Sequence, residues 1–318
     1  MLLSIYPVIA GPTAGGKTAL AVAIALALRE RGIHAEVVTA DAFQIYRGMD
    51  VGTAKPTAAE RRGVPHHLID LVEPTERFTV HDWLGRADPL VGGLRARGVV
   101  PVVVGGTNLY VKAFLDGLFE APPTAPEVAA AVRAMTRAER RAELARVDPV
   151  AAGRIHPADE RRTVRALEVF RQTGTPISVL QAQWDAERPA RPEALLVGLD
   201  WPAEAINRRI NARVRGMVGA GLVEEARGLW ASGRLGAQAR EAIGYKQLIP
   251  YFEGRCGLDE AVERIKIDTR RLGKNQRTWL ARLRARPGGL WIPAADRAVG
   301  DIAQIVVDQM FATPQEGC

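Results

Sequence analysis

Cysteine is scarce in this chain. Cys256 and Cys318 are the two in 318 residues, too few for a disulfide framework or a four-ligand zinc site. Histidine is also rare. His66 and His67 are adjacent, so their side chains diverge and are not expected to share a metal, and His81 and His156 stand alone. No apolar run approaches the about 18 residues that a membrane-spanning helix needs. The opening Met1-Leu2-Leu3-Ser4-Ile5-Tyr6 lacks the basic start and small-residue cleavage site of a secretory signal. Together these absences lead us to expect a cytoplasmic protein without membrane contact. Apolar residues themselves are plentiful, at 47%, enough to build a core in one large domain or two modest ones. Basic residues outnumber acidic ones for a net charge of +7, which favours a polyanionic partner only if the basic residues cluster.

The chain is organised around Gly11-Pro12-Thr13-Ala14-Gly15-Gly16-Lys17-Thr18. Glycine, four residues, then Gly-Lys-Thr is the phosphate-loop pattern. Its context fits: apolar Leu2–Ala10 reads as a buried strand, and Ala19–Arg31 reads as a helix with no breaker until Gly32. Glycines let the backbone curl around a phosphate, and the helix N-terminus adds unpaired N–H groups and a partial positive charge. Lys17 supplies a full charge, and the Thr18 hydroxyl is a candidate magnesium ligand. A di- or triphosphate is the expected ligand.

Further strands are expected at Ala35–Thr39, Val99–Val104, Leu195–Asp200 and Leu290–Ile292, alternating with helices at Thr79–Arg97, Pro202–Gly219, Leu258 to about Arg286, and Ala298–Phe311. That is an α/β chain with a phosphate-loop NTPase-like parallel sheet flanked by helices. Pro101 sits awkwardly in its strand. Ligands gather beyond the carboxyl ends of such strands, which brings Asp41 and Thr107 toward the loop. Thr107 can cap the next helix or donate to a ligand. Arg47–Pro56 reads as a loop able to close over a substrate, or as a plain surface connection. Asp70 reads as structural, with a magnesium aspartate as its less favoured alternative. Arg209 and Arg213 lie four apart, so that either one can be aimed at the phosphates.

Prolines at Pro122, Pro123 and Pro126, and again at Pro189 and Pro192, mark boundaries. They divide a core of residues 1–120 and 191–318 from an all-helical insertion, 121–190, dense in arginine. On Glu160–Arg171, Val164, Leu167, Val169 and Phe170 form the expected core face, while Arg161, Arg162 and Arg165 make either a solvated face or a phosphate-backbone contact. A basic stripe recurs on the long helix from Leu258, through Lys266, Arg270, Arg271, Lys274 and Arg277.

The segments 11–18, Asp41–Pro56, Val104–Tyr110, Ile243–Gln247 and Thr269–Trp279 together resemble the bacterial tRNA dimethylallyltransferases, also called tRNA isopentenyltransferases. The likeness runs from about residue 6 to 285. It implies transfer of a dimethylallyl group from dimethylallyl diphosphate to N6 of the adenosine 3′-adjacent to the anticodon, in tRNAs reading codons that begin with U. It also implies Mg2+ and a flipped target base, and fits a monomer. On that resemblance, Gly11, Pro12, Thr13, Ala14, Gly15, Gly16, Lys17 and Thr18 hold the diphosphate, Asp41 is the general base, and Arg213 reaches the diphosphate. Asp41, Ala42, Phe43 and Gln44, Thr107, Arg161, Arg162, Thr163, Val164 and Arg165, and Glu241, Ala242, Ile243, Gly244, Tyr245 and Lys246 fall on tRNA-contacting stretches. Two departures stand out: Ala42 where the family usually has serine, and Gly15 where serine is frequent. The rival readings are a small-molecule kinase using ATP in the same loop, or an RNA-stimulated NTPase. The kinase reading leaves the basic helices unexplained.

Overall fold

A computed structural model describes residues 3–117, 124–186 and 191–312. Part of each proline-marked boundary (120–123 and 188–190) and Cys318 lie outside them. The chain divides into two units, Met1–Ala113 with Pro192–Cys318, and Phe114–Arg191.

The first unit is built on strands too uniformly apolar to leave a face in water. β1 (Tyr6–Ala10) is buried at every position, as is β4 (Val100–Gly105), the composition of parallel strands covered on both faces. With β2 (Ala35–Ala40), β3 (His66–His67), β5 (Ala194–Asp200) and β6 (Leu290–Pro293) they form a parallel sheet in the order β3-β2-β4-β1-β5-β6. Val8 pairs with Val103 on one side and Leu196 on the other, and Ala10 and Ala40 both reach Gly105. The carboxyl ends of β1, β2 and β4 are therefore level. From β1 the chain moves outward to β2, then later returns to the other side through β5, creating the switch point where open α/β sheets place ligands.

β1 is shorter than the apolar stretch beginning at Leu2, and its parallel pairing with β5 starts at Tyr6, opposite Ala194. Pro101 also finds its explanation here. Val100 donates to His34 O on the β2 side, so alternation turns the nitrogen of Pro101 toward β1, whose pairing with β4 begins only at Val103. No ladder bond is lost.

The helices between strands are α1 (Lys17–Glu30), α2 (Ala58–Arg61), α3 (Val80–Ala96) and α4 (Asn108–Asp116). α3 starts at a capping box between Thr79 and Asp82 and tolerates Pro89 on its exposed side. In the second unit, α5 (Pro126–Ala134), α6 (Arg137–Val147), α7 (Pro149–Arg154), α8 (Glu160–Thr173) and α9 (Ile177–Ala186) enclose Val132, Leu144, Ala151, Ala152, Ala166 and Leu167. Buried Asp148 ties this unit together: one carboxylate oxygen accepts from Ala151 N and the other from Ser178 N, both at 2.9 Å. The core face of α8 differs from the expected one. Thr163, Ala166, Leu167, Glu168 and Val169 are buried, and Val164 and Phe170 lie at its rim.

Back in the first unit, α10 (Ala203–Gly219), α11 (Leu222–Ala231), α12 (Tyr245–Phe252), α13 (Leu258–Leu283) and α14 (Val299–Ala312) complete the layers. α13 packs on α10 at Gly273, where an added Cβ would sit 3.1 Å from Ile210 Cδ1. No described helix is long and apolar enough to cross a membrane.

Candidate active site

Between β1 and α1 the loop Gly11–Thr18 turns on itself, with Gly15 N donating to Pro12 O at 3.1 Å. A Cβ on Gly15 would lie 2.8 Å from Pro12 O and 3.2 Å from Trp201 Nε1, so any side chain here, the serine frequent in the resemblance included, requires the turn to shift. Ala14 and Gly16 take left-handed backbone conformations, φ 60° and 82°. Gly16 caps α1 without a side chain, so the first-turn N–H groups stay available to an anion.

The loop's carbonyls are tied down by donors. Lys17 Nζ donates to Pro12 O at 2.8 Å, Arg209 Nε to Ala14 O at 2.8 Å, and Trp201 Nε1 to Gly15 O at 3.2 Å. Arg209 also stacks over Trp201, 4.7 Å from its ring centroid. Holding these oxygens away from the loop's interior lowers repulsion toward an anion.

Asp41 follows β2. Its Oδ1 accepts from Phe43 N at 2.9 Å and Gln44 N at 3.2 Å, an Asx turn that fixes the carboxylate. Its Oδ2 points toward Gly106, beyond β4. A Cβ built on Gly106 would be 3.7 Å from Asp41 Oδ2, 3.6 Å from Lys17 Nζ and 3.5 Å from Gln276 Nε2. One small space is thus bordered by a carboxylate, a lysine and an amide. Thr107 spends its hydroxyl as acceptor for Ala42 N at 3.0 Å, while its carbonyl takes Tyr110 N and Val111 N at the start of α4. Its hydroxyl proton remains for donation.

The charges in this space are strained against one another. Burial, then Arg213, pushes Lys17 down to about 7, with Asp41 partly opposing. Burial likewise pulls Arg213 down from the usual arginine value, Asp41 and Glu60 oppose it, and Arg209 adds to it. An anion between Lys17 and Arg213 relieves this repulsion. Arg209 Nε is bonded to Ala14 O, and its Nη2 lies 3.8 Å from a Cβ built on Gly16, so Arg209 borders the loop as well.

The profile described as IPP transferase matches residues 44–283, and that described as isopentenyl transferase matches 4–71. The chain belongs to the IPP transferase family. A tRNA dimethylallyltransferase of Geobacillus kaustophilus (strain HTA426) is 46% identical over 280 residues, 86% of each chain. One from Anaeromyxobacter dehalogenans (strain 2CP-1) is 46% identical over 289 residues, covering 90% of this chain and 92% of its own. The crystal structure of a tRNA isopentenylpyrophosphate transferase from Bacillus halodurans matches with TM-score 0.69 at 35% identity, covering 97% of both chains. A eukaryotic dimethylallyltransferase acting on tRNA shares the fold, with TM-score 0.82 at 24% identity over 98% of this chain and 81% of that one.

In this IPP transferase the 41–56 segment is pinned rather than free to close. Ile45, Tyr46 and Met49 are fully buried. Gln44 Nε2 donates to Thr53 O and Ala54 O, at 3.1 and 3.2 Å. Lys55 Nζ reaches Tyr46 O at 2.9 Å and both Asp50 Oδ1 and Asp70 Oδ1 at 2.5 Å. Asp70 is thereby a structural partner of Lys55. His67 pairs with Glu36 at 2.5 Å and His66 Nδ1 with Val64 O at 2.9 Å.

The carboxylate of Glu225, on α11, accepts from Asp50 N, Val51 N and Gly52 N at 2.8 to 3.0 Å, and from Tyr245 OH at 2.5 Å. Tyr245 lies so close over Gly52 that a Cβ there would be 2.4 Å from its ring. Within Glu241–Lys246, then, Tyr245 is buried support for the 50–52 turn, Ala242 and Gly244 are buried, and Ile243 is half-buried. Glu241 and Lys246 are exposed and paired with each other at 2.5 Å.

In the helical unit, Arg161, Arg162 and Arg165 are exposed. Arg165 donates to Thr124 Oγ1 at 2.8 Å, and Arg162 lies 3.4 Å from Asp159. Thr163 is buried, its hydroxyl donating to Asp159 O at 2.9 Å. Val164 packs against the unit's core.

Sequence reasoning gave no role to Gln276, Trp201 or Glu225. Gln276 carried a readable signal: it falls between Gly273 and Leu280 on the buried seam of α13, where a polar side chain needs partners. Trp201 and Glu225 carried none, because their partners are backbone atoms of distant segments.

Proposed function

We propose that this chain transfers a dimethylallyl group from dimethylallyl diphosphate to N6 of the adenosine 3′-adjacent to the anticodon in tRNAs reading codons that begin with U, releasing diphosphate. The observation that carries the reading is the convergence of Asp41 Oδ2 and Lys17 Nζ on the space over Gly106, in a chain of the IPP transferase family. A base and a diphosphate-binding cation bordering one space are what joining an amine to an allylic diphosphate requires.

The loop's N–H groups, Lys17 and Arg213 bind the diphosphate and stabilise the charge that grows on it as the C–O bond breaks. The allylic carbon leaves as a delocalised cation, so holding it in line with the nucleophile supplies much of the remaining rate. Asp41 accepts the proton lost by the exocyclic amine as N6 attacks, and its Asx turn keeps Oδ2 aimed at that proton. Thr107, with its proton free, donates to the base or ribose brought into the space. Among the described residues no cluster of three or more His, Cys, Asp or Glu side chains is placed to hold a metal. A magnesium ion that keeps its waters and takes diphosphate oxygens needs few protein ligands, and the Thr18 hydroxyl is suited to that role. When bound, it would neutralise diphosphate charge. Arg161, Arg162 and Arg165 offer positive charge to the tRNA backbone, and on the 241–246 stretch the exposed cation is Lys246.

The test is label transfer. The protein is incubated with magnesium, unmodified tRNA and dimethylallyl diphosphate labelled in the prenyl group, with and without ATP. Label on the adenine next to the anticodon, independent of ATP, is the expected result. ATP consumption without label in the RNA would contradict it and favour a kinase or NTPase.

A further inference from the structure

Gln276 touches both halves of the space just described. It is 5% exposed on α13. Its Oε1 accepts from Thr13 N at 2.7 Å, and its Nε2 donates to Gly106 O at 2.7 Å. Its own backbone carbonyl accepts from Asn108 Nδ2 at 3.4 Å. Thr13 belongs to the phosphate loop after β1. Gly106 immediately follows β4, beside Asp41 Oδ2 and immediately before Thr107. One buried side chain therefore bridges the segment that holds the leaving group and the segment that faces the acceptor.

The chemistry of the bridge is specific. One partner is a donor and the other an acceptor, so the side chain between them must offer one acceptor and one donor together. A primary amide does this. A hydrocarbon offers neither, and an ionised carboxylate would set a charged oxygen against Gly106 O. Buried backbone groups left unpaired are costly, so loss of the amide is relieved by movement of loop or strand.

Resting on the transferase reading above, we propose that Gln276 is a positioning residue: it fixes the distance between the diphosphate loop and the β4 end, and so the distance over which N6 attacks the allylic carbon. It acts through Thr13 and Gly106. A drift of about 1 Å in a reacting pair costs about 100-fold in rate.

A protonated carboxyl group reproduces the amide's pairing, with its carbonyl oxygen accepting and its O–H donating. Burial raises the pKa of such a group. Gln276→Glu is therefore a variant that low pH repairs. Single-turnover label transfer is measured at saturating dimethylallyl diphosphate and tRNA for wild type, Gln276→Leu and Gln276→Glu, from about pH 5.5 to about pH 8, with tRNA affinity measured alongside. Gln276→Leu is expected to be about 100-fold slower with unchanged tRNA affinity. Gln276→Glu is expected to be similarly slow at the upper pH, and its rate relative to wild type should rise at least about tenfold as pH falls. A folding defect, which protonation would also repair, would lower tRNA affinity at the upper pH as well, whereas a positioning defect leaves that affinity unchanged. Should Gln276→Leu fail to fold, the pH-dependent ratio for Gln276→Glu decides alone. A flat ratio, or three equal rates, overturns the assignment while leaving the transferase reading intact. A wild type that transfers no label overturns both.

Discussion

Lys17 shows how one residue's surroundings set its chemistry. Burial and Arg213 hold its ammonium down to about 7, so the free protein carries it charged below that pH and increasingly neutral above. The charged form binds diphosphate, hence affinity is full below about pH 7 and falls as pH rises, by up to about tenfold per unit. Titrating wild type and Lys17→Arg with pyrophosphate from about pH 6 to about pH 9 checks this. The ligand's own protonation is common to both, so the wild type should lose more affinity with rising pH than the variant, whose guanidinium stays charged. Parallel curves would remove Lys17 from the diphosphate site.

Among elements, the 41–56 segment depends most on a distant partner. Three of its backbone N–H groups and Tyr245 OH converge on the carboxylate of Glu225. Glu225→Ala leaves them unpaired and is expected to lower stability by about 2–3 kcal/mol, read as a drop in denaturation midpoint. Stability within about 0.5 kcal/mol of wild type would mean that water replaces the carboxylate. The contrast between this segment and the phosphate loop explains what the sequence made legible. The loop is local: glycine spacing, a strand before and a helix after announce it, and Asp41 and Thr107 follow because strand ends are predictable. The polar, glycine-punctuated stretch 47–56 reads either as a closing loop or as a plain surface connection. Its anchors are Lys55, which reads as surface, and Glu225, which lies on another helix. Such long-range pairing has no local signature. The same holds on α8, where periodicity names a core face but the neighbouring helices decide that Glu168 is buried and Phe170 is not.

For the whole molecule, the net charge of +7 has meaning only through where the arginines lie. Arg161 and Arg165 are exposed on α8. Replacing both with alanine is expected to weaken tRNA binding and to flatten the slope of log affinity against log salt by about 1–2, while pyrophosphate affinity stays unchanged. An unaltered slope would put the tRNA elsewhere. The central claim, though, is that Asp41 takes the proton from the attacking amine over Gly106. Asp41→Asn keeps the Asx turn, because its amide oxygen still accepts from Phe43 N and Gln44 N, but it removes the base. The most direct test is single-turnover transfer of the labelled prenyl group by Asp41→Asn, with tRNA and pyrophosphate affinities measured on the same protein. A rate lowered by about 100-fold or more, with both affinities within about twofold of wild type, is the predicted result. Wild-type turnover in the variant would contradict the account.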